Sequence, residues 1–355
     1  MTQARKRQQK NVRRQKRKQK KARRPWRPRA DYRKNWLDCQ RHFLTSMFWK
    51  AGHAVAKGFG GYRWNLLPLV MVAILTMFLT ASSAGERFEE AREYWTRMNP
   101  NRRRVGKTFA GFQAALARLP RRALKAMQPQ LRDRIAEVLK DRWEEMSWEP
   151  FACDGSRLRL PRYTDLERRF GTAGKGDFPQ MWVTCLVHLL TGVPWSWKFG
   201  KGKASERDHL LQLIDTLPER ALLMADAGFT GYRTWSTLMQ RNRHFLIRLS
   251  SSCRFYADYQ VKYDFKEGKA YLWQKGKKPL ELRLIRLPGH QGKRTKGAKH
   301  DLWLVTNVME PTRLSRATAG IMYRMRWEQE VFYRSYKCTL RQAKLSSRTV
   351  RQVVR

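Results

Sequence analysis

The sequence is poor in acids, poor in cysteine, and lacks an apolar run long enough for a bilayer. Only 29 Asp and Glu stand against 75 Lys and Arg, a formal charge of +46 at pH 7. A surface that merely needs solvation requires no such excess, and the imbalance argues against cationic partners. The five cysteines (Cys39, Cys153, Cys185, Cys253, Cys338) stand singly. None forms a CxxC pair, so neither a disulfide frame nor a thiolate zinc site is expected, and a reducing compartment suits the chain. The seven histidines show neither HExxH nor HxxxH spacing, so any metal would be held by carboxylates. The longest apolar stretch, "LLPLVMVAILTMFLT" (Leu66–Thr80), has 15 residues with Pro68 near its start. A bilayer span needs about 20, so this stretch reads as a buried helix and no stable membrane association is expected. "GKT" (Gly106–Thr108) has the end of a phosphate-binding loop, but Asn101 stands where the loop's first glycine belongs, which excludes that site. There is no internal repeat.

What is present is a core and a great deal of positive charge. The chain has 355 residues, 42% of them hydrophobic, enough for one large domain with additions or two domains. The usual partner of such a cation is a polyanion, because Lys and Arg displace counterions from phosphates. Nucleic acid fits better than an anionic membrane. Residues 1–30 contain 15 Lys or Arg and no acid. Like charges at that density repel, so residues 1–35 are expected to be a disordered basic arm gripping phosphates. The arm also resembles a nuclear-localisation run.

Residues 36–148 read as a helical region. "FAGFQAALARL" (Phe109–Leu119) and "LRDRIAEVLKDRWEEM" (Leu131–Met146) each space their apolar residues for one helix face. The pattern changes at Phe151. "FACDGSRLRLPR" alternates and reads as a strand pair turning at Asp154-Gly155. "ALLMADAGF" (Ala221–Phe229) reads as a buried strand ending in an Asp at its carboxyl edge. Residues 251–312 form a β-rich segment, with "KAYLWQKG", "LELRLIRL" and "HDLWLVTNV" as strands and a basic loop, "PGHQGKRTKGAKH", among them. From Ser315 the chain reads as helix again.

That last helix holds "YRMRWEQEVFYRSYK" (Tyr323–Lys337). At about 100° per residue, Tyr323, Arg326, Glu330, Arg334 and Lys337 fall on one stripe. On spacing alone, the stripe reads first as an ordinary solvated face with Glu–Arg pairs. Asp154 and Asp226 could likewise be a turn residue and a cap. Taken together, three carboxylates converging from two strand ends and a helix would bind hard divalent ions through oxygen. Two such ions would activate an attacking hydroxyl and stabilise a leaving oxygen at phosphorus.

The spacing Tyr323-x2-Arg326-x3-Glu330-x6-Lys337 resembles the Y-x2-R-x3-E-x6-K signature of DDE transposases of the bacterial IS-four family. "DAGF" (Asp226–Phe229) is similar to that family's second-aspartate motif and "DGS" (Asp154–Ser156) to its first. The resemblance covers about 151–348. It implies an α/β fold: a ribonuclease H-like catalytic core, interrupted by a β-rich insertion and preceded by a helical N-terminal region. The core would run over 149–250 and be completed over 313–355. Asp154, Asp226 and Glu330 would be catalytic and hold two Mg²⁺, with Mn²⁺ able to replace them. Tyr323, Arg326, Arg334 and Lys337 would contact phosphates near the element's end. A tryptophan of the insertion, Trp273 or Trp303, can stack on a flipped base in relatives. The implied activity is cut-and-paste DNA transposition by a cytoplasmic, nucleoid-associated bacterial enzyme acting as a homodimer on transposon ends and target DNA. Alternatives are a ribonuclease H-like nuclease without strand transfer, or an impaired, DNA-binding remnant. "TVRQVVR", which ends the sequence, reads like a helix cut short, so a truncated C-terminus is expected.

Overall fold

The computed structural model describes residues 40, 42–57, 59, 63–79, 81–172, 178–250, 252–257, 261–263, 266–289, 301–339 and 350. The expected basic arm, most of the basic loop of the insertion (290–300) and the expected cut end "TVRQVVR" (349–355, save position 350) lie outside the described residues.

The helical region before the sheet contains α1 (Ser46–Val55), α2 (Leu66–Phe78), α3 (Ala84–Met98), α4 (Phe109–Arg118) and α5 (Arg121–Val138). The starts of α1, α3 and α4 are written in the sequence. Thr45, Ser83 and Thr108 each accept a backbone N–H of the first turn, and Ser83 with Glu86 forms a reciprocal capping box. The apolar α2 buries Leu66, Leu69, Val70, Met71, Val72 and Leu75. Trp64, Phe88 and Phe112 pack beside it, the two phenyl rings stacked at 4.9 Å. Among the described residues, no helix is long and apolar enough to cross a membrane. The expected helix over Leu131–Met146 stops early, at Val138, followed by a short 3₁₀ turn at Lys140–Arg142. Tertiary packing overrides the periodic pattern there. Trp143 turns inward to stack on His188 at 3.9 Å and donates its indole N–H to Glu149.

Among the described residues, ten strands form one sheet. They are β1 (Glu149–Arg159), β2 (Gln180–His188), β3 (Val193–Lys201), β4 (Ala221–Ala225), β5 (His244–Arg248), β6 (Phe255–Ala257), β7 (Val261–Tyr263), β8 (Gly268–Leu272), β9 (Leu280–Leu287) and β10 (Leu302–Thr306). Their order is β3-β2-β1-β4-β5-β10-β9-β8-β6-β7. β1, β4 and β5 are parallel, and β2 runs antiparallel to both β1 and β3. This five-strand half is a ribonuclease H-like core. The strands of the β-rich segment do not stand apart: β10 pairs antiparallel with β5 and extends the same sheet. Helices cover both faces: α6 (Thr164–Phe170), α7 (Glu206–Leu213), α8 (Tyr232–Gln240), α9 (Arg316–Met325) and α10 (Trp327–Arg334). In β4, Leu223 and Ala225 pack with Leu210 and Trp235 on one face, while Leu222 and Met224 pack with Ala319 and Met322 on the other. A strand buried on both faces must be apolar throughout, which is why "ALLMA" shows no alternation.

The strand pair expected at 151–162 is a single strand. β1 runs unbroken through Asp154-Gly155, which face Cys185 and Thr184 of β2. Gly155 serves close approach rather than a turn. A Cβ there would sit 2.5 Å from Trp182 Nε1 and 2.6 Å from Glu206 Oε1.

Candidate active site

Sheet geometry brings the two aspartates together. β1 and β4 are parallel neighbours with Ala152 opposite Met224, so Asp154 and Asp226 each lie two residues further along the same edge. Asp154 is partly buried, and its Oδ1 accepts the Gly155 N–H at 2.7 Å. Asp226 follows the last residue of β4 and caps the 3₁₀ turn Ala227–Phe229, accepting the Gly228 N–H at 2.7 Å. A Cβ at Gly228 would lie 2.8 Å from the Asp226 carboxylate, so the glycine leaves room for that oxygen to meet its N–H. Arg207 of α7 donates to the Gly228 carbonyl, and Arg233 of α8 pairs with Asp208 of α7 at 2.8 Å. Two helices thus brace the loop that carries Asp226.

The stretch Tyr323–Lys337 is not one uniform helix. α9 ends at Met325, Arg326 joins it to α10, and a π-helical turn follows at Ser335–Thr339. The expected stripe is therefore split over three elements, yet Tyr323, Arg326 and Glu330 stay together and Lys337 reaches the strand of Asp154. Tyr323 is 9% exposed on α9, with the Arg326 guanidinium 5.8 Å from its ring centroid. Arg326 Nη2 pairs with Glu330 Oε1 at 3.2 Å. Lys337 Nζ donates to Ser156 Oγ at 2.5 Å, two residues from Asp154. Arg334 is exposed at the end of α10. Of the insertion's tryptophans, Trp273 is 48% exposed beyond β8, edge-on to Tyr256, while Trp303 of β10 packs partly buried against the core.

The electrostatics report crowded negative charge. Burial pushes the Asp154 carboxyl up to about 6; Asp226 and Glu330 add to the rise, while the Gly155 N–H and Arg326 oppose it. Burial lowers the Lys337 ammonium and raises the Tyr323 phenol, which stays a neutral donor. A fourth carboxylate is not apparent from the sequence. Glu206, the first residue of α7, packs against Gly155, and burial with the charges of Asp154 and Asp226 pushes it up to about 7. A glutamate opening a helix after a serine cap looks like capping chemistry, and only the tertiary fold brings it to Asp154.

The donor set is all carboxylate oxygen, which suits a hard divalent cation. The acids couple electrostatically without being drawn into a ligand shell. Among the described residues, no three His, Cys, Asp or Glu side chains form a group close enough to hold one ion, and Glu330 is engaged by Arg326. The chemistry of the site fits a metal, and Arg326 holds one oxygen of the Glu330 carboxylate.

The transposase DDE domain family matches residues 149–355. The chain is 25% identical over 212 residues to the transposase InsG of insertion sequence element IS4 from Escherichia coli strain K12, covering 56% of this chain. It spans about half the length of that relative, 46%. Among solved structures, the piggyBac transposase synaptic complex with hairpin DNA aligns at a TM-score of 0.43 and 10% identity, over 90% of this chain and 71% of that one. A pre-cleavage Mos1 transpososome aligns at 0.21 and 11%, over 51% and 78%. Neither structural likeness is strong enough to carry weight.

Proposed function

The chain belongs to the transposase DDE domain family, and from that premise we propose that it cuts and rejoins DNA at the ends of an insertion sequence. The observation that carries the reading is geometric: the parallel register of β1 and β4 sets Asp154 and Asp226 on one edge of the sheet, and α10, which carries Glu330, docks on the backbone of Cys185 and Asp154. These three carboxylates would hold Mg²⁺ or Mn²⁺; when bound, two such ions supply activation of the attacking hydroxyl and stabilisation of the leaving oxygen. The chain's own cations do the positioning. Arg326 offers a planar fork to a phosphate, Lys337 a point charge, and Tyr323 a neutral donor with a ring to pack on sugar. A phosphate taking Arg326 would free Glu330 at the moment DNA is in place. Water then attacks the phosphorus at the element's end, the P–O3′ bond breaks, and a 3′-OH and a 5′-phosphate result. That 3′-OH attacks a target phosphate in the second step, expelling a target 3′-oxygen as the new bond forms. Action on paired ends in a cytoplasmic homodimer belongs to the same proposal.

Glu330→Ala tests it. The variant is expected to bind DNA as the parent does and to lose Mg²⁺-dependent cleavage by at least about a thousandfold, roughly 4 kcal/mol in transition-state stabilisation. Cleavage that survives would show the acids to be misassigned. Recovery of products joined to a second DNA separates transposition from cleavage alone.

A further inference from the structure

Helix α10 and the π-helical turn after it are fastened to the sheet by a row of side chains other than the glutamate that α10 carries. Gln329, Tyr333 and Lys337 recur at every fourth position. Gln329 Nε2 donates to the Cys185 carbonyl at 2.8 Å, and the Tyr333 hydroxyl lies 2.8 Å from the Asp154 carbonyl and 3.2 Å from that of Val183. Lys337 completes the row at Ser156. Gln329 is fully buried and Tyr333 is 9% exposed. Cys185 is the ladder partner of Asp154, and Val183 that of Ser156. The row therefore reads the backbone of the strand pair immediately around the first aspartate. Carbonyl oxygens with a second free lone pair accept these bonds without loss of the β ladder. Glu330, one residue from Gln329, inherits its position from this fastening.

We infer that Tyr333 is a positioning residue of the catalytic site, its hydroxyl fixing the distance between the Glu330 helix and the main chain of Asp154. The inference rests on the transposase reading for its chemistry, and on the hydrogen bonds alone for its geometry. A helix held only by apolar packing can slide by a fraction of an ångström at little cost. One held by a directional bond to the carbonyl of a ligating residue cannot. Groups that orient metal ligands in this way set affinity for the metal as well as rate.

The test is Tyr333→Phe in the full chain, which removes one oxygen and keeps the ring against Cys185 and Val187. Free Mn²⁺ is titrated by electron paramagnetic resonance, and nicking of supercoiled plasmid in Mn²⁺ is followed in parallel. The expected result is Mn²⁺ binding weakened about tenfold or more, kcat for nicking lowered by a similar factor, and KM for plasmid nearly unchanged. A lowered melting temperature with unchanged Mn²⁺ affinity would make Tyr333 structural only and overturn the inference. If the parent binds Mn²⁺ but does not nick, the transposase reading fails while the Mn²⁺ comparison still decides the role of Tyr333. A parent that binds no Mn²⁺ overturns both. Should Tyr333→Phe not fold, Gln329→Met, which removes only the bond to Cys185, must show the same loss of Mn²⁺ affinity; unchanged affinity there overturns the inference.

Discussion

Glu206 illustrates what a single buried acid costs. Its folded carboxyl is pushed up to about 7, from an ordinary value near 4.5, by burial first and by Asp154 and Asp226 next. The folded state thus binds a proton that the unfolded state has already released between these values. Stability is full below about pH 4.5 and falls as pH rises toward 7. Asp154, pushed up to about 6, acts in the same direction. In metal-free protein, Glu206→Gln is expected to flatten this fall and to be more stable than the parent at pH 8 by roughly 1–2 kcal/mol. Linkage sets a ceiling of about 1.4 kcal/mol for each pH unit by which the carboxyl is raised, and water reaching a half-buried side chain screens part of it. Urea denaturation at pH 5 and pH 8 measures it; an equal pH dependence in parent and variant would contradict the assignment.

At the scale of elements, legibility follows how local the cause is. The buried strand "ALLMA" ending in Asp226 is readable because two-sided burial demands an unbroken apolar run. The dipeptide Asp154-Gly155 misleads because a glycine after an aspartate serves two purposes. It makes hairpin turns, and it lets Trp182 and Glu206 approach a strand, and only the partner across the sheet separates the two. The stripe from Tyr323 to Lys337 assumes one uniform rotation per residue. The junction at Arg326 and the π-helical turn at Ser335–Thr339 break that uniformity, and they arise from long-range docking that periodicity cannot register. Arg283 is invisible in the sequence for the same reason. Lying in β9 and 8% exposed, it donates to the carbonyls of Val308 and Leu314 and so holds the loop that enters α9. Arg283→Met is expected to destabilise by about 2–4 kcal/mol, since both buried carbonyls lose their donor. Hydrogen exchange should rise first over 308–315, and unaltered exchange there would disprove the clamp.

For the whole molecule, charge and sheet dominate. A net charge of +46 makes binding to any duplex salt-dependent, with an affinity slope of roughly 0.9 per phosphate neutralised. Residues 1–30, with 15 Lys or Arg, are expected to supply part of that slope without supplying catalysis. Deleting them should lower affinity for a random-sequence duplex and flatten its salt dependence, while Mn²⁺-dependent nicking at saturating DNA persists. Anisotropy titrations at several salt concentrations give the slope. An unchanged slope would mean that the arm does not touch phosphate.

Tyr333 reaches back across 179 residues to the carbonyl of Asp154. At roughly 5–20 residues per second, a ribosome makes Tyr333 some 10–40 s after Asp154. The strands β1 to β5 and both aspartates can be in place over that interval, whereas the helix that supplies the glutamate is still unmade. Assembly of the site is thus timed by the topology. A half-synthesised chain already carries the basic residues 1–30, but it lacks Glu330, without which the proposed set of acids is incomplete.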